Sequence, residues 1–353
     1  MTHALNGTRT ILTAALTLVL ATAPLPGHAA DEVSDGQWFH NFLRTDQAHE
    51  ITTGSGVTVA VIDSGVDGTH PDLQGSVLPG VDLSSEGPGD GHRDASGHGT
   101  SMAGLIAAHG KVRGIAPDAK ILPVRAFTTE GFGGVTRESI LWAVEHGADV
   151  ISISAGGDSA DPGVRRAIDE ALKRDVVVVA AAGNRPADQQ VIYPAAFPGV
   201  VAVGAVNKDG VQSSLSVTGP AVVVAAPGDD ITSTGLKHRW SNGSGTSGAT
   251  AIVAGAAALI RAQFPDLSAV EVVRRLTSTA VDKGYTGRDP QYGFGVLDLV
   301  AALTTDVPPP ASATPGGPTE PGSSSSRPLE LAIGVLALTF LMVLGAVKLR
   351  RRG

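Results

Sequence analysis

Three short polar clusters in this 353-residue chain carry side chains able to break an acyl bond. Asp63, in Asp63-Ser64-Gly65, closes the apolar run VTVAVI (57–62). A carboxylate there must be hydrogen-bonded or functional, because burying it unpaired is costly. Its bland reading is a turn aspartate. His98 stands between Gly97 and Gly99 at the head of SMAGLIAA (101–108), and flanking glycines let another backbone approach an imidazole closely. Alone, it reads as a satisfied polar histidine. Ser247 lies in GTSGAT (245–250), ahead of the small-residue run AIVAGAAAL (251–259). A serine at the head of a buried helix can be an N-cap. The same place offers unpaired N–H groups and the positive end of the helix dipole, so an oxyanion formed at that serine would meet ready donors. The pattern is not the G-x-S-x-G elbow, since Ala249 takes the place of the last glycine.

The elements that must position these groups alternate. Runs 57–62, 121–126, 150–153, 176–181 and 200–206 are short, rich in Val, Ile and Ala, and closed by Gly, Asp or Asn, as buried strands are. Segments 135–146, 162–174 and 268–280 repeat apolar residues three and four apart and predict helices. Pro162 suits a first helical turn. Strand–helix alternation implies an α/β unit with a mostly parallel sheet covered on both faces, in which ligands bind beyond the carboxyl ends of the strands. No internal repeat or break interrupts 36–305, so one domain is expected.

Composition narrows the chemistry. There is no cysteine, which excludes a disulfide scaffold, a zinc ribbon, an iron–sulfur centre and a thiol nucleophile. The formal charge of −8 argues against nucleic acid as a partner. The ends are distinct from the middle. Arg9, the apolar run 11–23 and the small pair Ala29–Ala30 predict a secretory signal peptide over 1–29. A Pro/Gly/Ser-rich stalk over 306–328 cannot pack. Residues 331–347 carry no charge and lead into Lys348, Arg350, Arg351 and Arg352, predicting a transmembrane helix over 329–348 and a basic cytoplasmic tail over 349–353. Without Arg9, the four tail cations and Glu330, the exported part keeps 21 basic and 33 acidic residues, a balance of −12.

Taken together, in the order Asp63, His98, Ser247, the clusters resemble those of the subtilisin-like serine proteases, the subtilases of peptidase family S8. VAVIDSGVDGTHPDL, GHGTSMAG, AAAGN ending at Asn184 and GTSGAT carry the resemblance, which covers about 54–303. It implies a subtilisin-like three-layer fold over 30–305. It also implies an Asp63/His98/Ser247 triad, an oxyanion hole from the Asn184 amide and the Ser247 N–H, and substrate added as a strand along Ser154, Ala155 and Gly156. A second rail is expected near 131–134. The S1 pocket, lined by 180–183 and 154–157, holds no charged residue, so no Arg/Lys-directed specificity is expected.

Three departures matter. Gly248 and Ala251 replace the Met and Pro usual after the nucleophile. The 32 residues between Ala30 and Asp63 are expected to start the domain and leave no room for a propeptide. The short 109–113 segment and Asp72 cannot supply the six to eight oxygens of a calcium loop, so no metal and no cofactor are expected. Signal, stalk, anchor and the segment QWFHNFLRTDQAHEITTGSGVTVAVIDSGV resemble the mycosins, membrane-anchored subtilases of type VII secretion, although cysteine is lacking. That resemblance implies a cell-membrane endopeptidase with its catalytic domain outside, acting on exported proteins, with secretion-complex subunits as partners. A broad degradative exoprotease and a scaffold with dispensable catalysis are the alternatives.

Overall fold

The structure is a computed structural model that describes residues 32–308 except 85, 87, 95 and 129–133. In chain order its elements are α1 (Glu32–Asp35), α2 (Phe39–Leu43), α3 (Thr45–His49), β1 (Thr58–Asp63), β2 (Val81–Asp82), α4 (His98–Ala107), β3 (Lys120–Arg125), α5 (Arg137–Glu145) and β4 (Val150–Ile153). They continue with α6 (Pro162–Lys173), β5 (Val177–Ala181), β6 (Val201–Val206), β7 (Val222–Pro227), β8 (Ile231–Thr234), β9 (Trp240–Gly243), α7 (Thr246–Gln263), α8 (Ala269–Ser278) and α9 (Leu299–Thr304).

Seven strands form one parallel sheet in the order β2-β3-β1-β4-β5-β6-β7. Successive side chains of a strand point to opposite faces, and here both faces are buried. Val59, Val61, Val177 and Val179 meet α4 and α7 on one face. Ala60, Ile62, Val178 and Ala180 meet α5 and α6 on the other. This explains why the strands read as unbroken apolar runs, and it gives the subtilisin-like three layers. Helix α7 runs through the centre of its layer, buried from Ala249 to Ile260. Its Ala- and Gly-rich sequence lets neighbours come close. A Cβ at Gly255 would stand 2.7 Å from Ile115 Cβ. Outside the sheet, β8 and β9 pair antiparallel and lie against α4.

The segment before β1 is bound to the domain. Phe39 and Leu43 are buried. Buried His40 contacts the Arg113 carbonyl through Nε2 (3.0 Å) and Thr45 Oγ1 through Nδ1 (2.8 Å). A carbonyl only accepts, so Nε2 carries the proton and Nδ1 accepts from the hydroxyl. Burial, and then the Arg113 charge, lower the His40 pKa from 6.5 to about 4. A depressed folded-state pKa gives stability that is complete above 6.5 and is lost as the pH falls towards 4, about 3 kcal/mol in all. The urea midpoint is therefore expected to fall over that window, and to fall less in His40→Asn. Equal pH dependence in the two proteins would refute the assignment.

The expected leader 1–29, anchor 329–348 and tail 349–353 lie outside the described residues, as does all of the stalk beyond Pro308. Among the described residues no helix is long and apolar enough to cross a membrane.

Candidate active site

Three neighbouring strands deliver the polar groups at their carboxyl ends. Asp63 closes β1, Ser154 follows β4, and Asn184 follows β5 after a short turn. Two helices bring the rest: His98 begins α4 and Ser247 is the second residue of α7. His98, Asn184 and Ser247 line one cavity of about 390 Å³, with Ser96, Ser101, Met102, Leu105 and β9 among its walls.

Asp63 is 2% exposed. Its carboxylate oxygens lie 2.8 and 2.9 Å from His98 Nδ1, and Oδ1 also accepts from the Ser64 N–H at 2.7 Å. Facing carboxylate oxygens, Nδ1 carries the proton, which leaves Nε2 to act as the base. Close approach of α4 to the turn after β1 needs glycine at position 99, where a Cβ would stand 2.1 Å from Gly65 O. The Asp63 charge, opposed by burial, holds the imidazole well above its ordinary value of 6.5. Only neutral His98 can accept a proton, so kcat/KM is expected to rise with pH through a limb above 6.5. A pH profile on a peptide amide checks this; a limb below 6 would contradict it.

Ser247 Oγ donates to Ser154 O at 3.2 Å, and Ser154 Oγ donates to Ser247 O at 3.2 Å. The resting serine is therefore turned to the strand end, and no hydrogen bond joins it to His98. Asn184 is fixed at its oxygen, which accepts from Thr246 N (2.8 Å) and Thr246 Oγ1 (3.2 Å). Its Nδ2 makes no hydrogen bond among the described residues, so a donor is left at the cavity wall beside the first turn of α7. Gly245 (φ +151°) admits this contact, since a Cβ there would lie 3.0 Å from Asn184 Oδ1. The backbone groups of Ala155 and Gly156 are also unpaired among the described residues, whereas Gly157 exchanges two hydrogen bonds with Tyr193. The predicted second rail falls mostly in 129–133, outside the described residues.

Asp72 is turned inward: its oxygens accept from Lys111 N, Val112 N and Trp240 Nε1. Residues that sequence reasoning did not single out complete the site. Thr246 orients Asn184. Arg125, wholly buried beside Asp63 in the β1–β3 register, bonds Asp82 (2.5 Å), Glu86 (2.7 Å) and Ser64 O (3.3 Å). An arginine ending an otherwise apolar strand is the signal that could have marked it.

An acid–imidazole pair and a serine on a helix's first turn, gathered over the carboxyl ends of a parallel sheet, are the parts of a serine hydrolase. The chain belongs to the subtilase family, whose profile matches residues 54–295. It is 40% identical over 260 residues to subtilisin E of Bacillus subtilis (strain 168), covering 71% of this chain and 66% of the length of that relative. It is 36% identical to Mycosin-1 of Mycobacterium tuberculosis, over 94% of this chain and 89% of the relative. Among solved structures it is similar to MycP1 from Mycobacterium smegmatis, with 30% identity and a TM-score of 0.70 over 84% of this chain and 89% of that one. MycP3 protease from the type VII (ESX-3) secretion system gives 33% and 0.67 over 76% and 88%.

Proposed function

We propose that this chain is a membrane-anchored serine endopeptidase that processes exported proteins in type VII secretion. The observation that carries the chemistry is the twofold contact of Asp63 with His98 Nδ1 in the cavity shared with Ser247 and Asn184. Ser247 leaves Ser154 O, gives its proton to His98 Nε2 and attacks the scissile carbonyl. The Asn184 Nδ2 and Ser247 N–H groups hold the oxyanion. Asp63 keeps the imidazole tautomer and stabilises the imidazolium, which then protonates the leaving amine. Water, activated by the same histidine, frees the acyl group. The peptide lies along Ser154, Ala155 and Gly156, where the backbone groups of Ala155 and Gly156, unpaired among the described residues, suit strand addition.

The secretion role rests on the likeness to Mycosin-1 along 94% of the chain and on the apolar 331–347 segment with its basic tail. A strain carrying Ser247→Ala tests it. Accumulation of an uncleaved exported protein is expected, and normal maturation of every exported protein would refute it.

A further inference from the structure

Asp94 stands four residues before His98 and meets five hydrogen-bond donors. Its Oδ1 accepts from Ser64 Oγ (2.7 Å), Ser96 N (3.0 Å) and Gly97 N (2.9 Å). Its Oδ2 accepts from Thr100 N (2.9 Å) and Thr100 Oγ1 (2.5 Å). The residue capping α4 is Gly97, which has no side chain to offer, so Asp94 takes the orphan Thr100 N–H, while Ser96 Oγ and Ser64 Oγ take those of His98 and Gly99. Its bond to Ser64 Oγ continues to the other side of the site. That hydroxyl accepts from Gly99 N and Ser96 Oγ, each at 3.0 Å, and the Ser64 N–H holds Asp63 Oδ1.

We propose that Asp94 is a positioning residue for catalysis, one carboxylate that ties the turn bearing Asp63 to the helix start bearing His98. The proposal rests on the reading of Asp63, His98 and Ser247 as a triad. Asp94 forms no ion pair among the described residues, and its charge adds to that of Asp63 in favouring the imidazolium. The other charges around His98 lie differently. Arg125, behind Ser64, is matched by Asp82 and Glu86, and exposed Arg93 also pairs with Glu86. Asp67 donates its N–H to Thr100 Oγ1. Lys237, His238 and Arg239 are exposed, beyond Leu236, which approaches Gly97.

The test uses the full chain in detergent, with kcat/KM followed against pH and the His98 imidazole titrated by NMR. Asp94→Asn is expected to lower kcat about tenfold or more with KM nearly unchanged. It should also move the His98 midpoint down by about 0.5 pH unit or more. Asp94→Glu, which keeps the charge, should restore the midpoint. Thr100→Val should lower kcat without moving it. A folded Asp94→Asn with wild-type kcat, or with an unshifted midpoint, would overturn the proposal. If Asp94→Asn does not fold, a Thr100→Val with wild-type kcat would do so. The NMR midpoint reads the coupling without turnover, so loss of the triad reading, seen as wild type that a fluorophosphonate does not label, stays distinguishable.

Discussion

Ser247→Ala is expected to abolish fluorophosphonate labelling and to lower kcat by about 10⁶-fold while leaving KM nearly unchanged. That magnitude is the one known for subtilisin, a member of the same family, and is not drawn from this geometry. The assignment to one residue is. Four other serines line the cavity, and each hydroxyl is engaged elsewhere. Ser96 Oγ donates to Ser64 Oγ, Ser241 Oγ contacts Ser101 Oγ and Thr234 O, and Ser244 Oγ accepts from Asp230 N. None of the four lies in the first turn of α7, where Ser247 and Gly248 line the cavity with N–H groups that are unpaired among the described residues. No second hydroxyl is therefore placed to inherit the role. The variant should fold normally, because Gly245, not Ser247, caps α7, and the lost Oγ gives up one hydrogen bond. A labelled Ser247→Ala protein, or one that cleaves at the wild-type rate, would remove Ser247 from the mechanism.

The sheet's centre was legible because burial on both faces forces β-branched runs closed by turn residues. The five expected strands lie within one residue of β1, β3, β4, β5 and β6. Helix ends were less so. The expected 135–146 contracts to Arg137–Glu145 because Thr136 and Ser139 form a capping box, and 268–280 contracts to Ala269–Ser278 behind the Ser268–Glu271 box. The β8–β9 hairpin escaped notice for a physical reason. Ser233 and Thr234 are buried by hydroxyl bonds to Ser101 O and Thr100 O rather than by apolar packing, so no hydrophobic alternation announces a strand. At the site, residue types and their order marked Asp63, His98 and Ser247 as candidates, because their neighbours are small and their chemistry is distinctive, whereas Asn184 was marked by the resemblance to the subtilases. Contacts across the chain were not readable. Thr246 meets Asn184 over a separation of 62 residues and Ser64 meets Asp94 over 30, and only the fold makes them neighbours.

Asn184→Ala is expected to lower kcat about 10²–10³-fold, roughly 3–4 kcal/mol, with KM little changed. Subtilisin is again the system in which that loss is known, and this structure supplies the reason to look for it here. Thr246 N and Oγ1 hold Asn184 Oδ1, which fixes the amide plane and leaves Nδ2 as the free end beside the first turn of α7. A donor held in this way needs no reorganisation as negative charge develops, and it contributes little to the uncharged carbonyl of the bound substrate. Asn184→Asp discriminates further. An aspartate can still accept from Thr246, so local folding survives, but it sets a carboxylate where the oxyanion forms. Its kcat should fall below that of Asn184→Ala. Thr246→Val, which frees one side of the anchor, should give a smaller loss than either. An Asn184→Ala enzyme with raised KM and unchanged kcat would mean that Nδ2 grips substrate equally before and during reaction, and the oxyanion role would pass to backbone N–H groups alone.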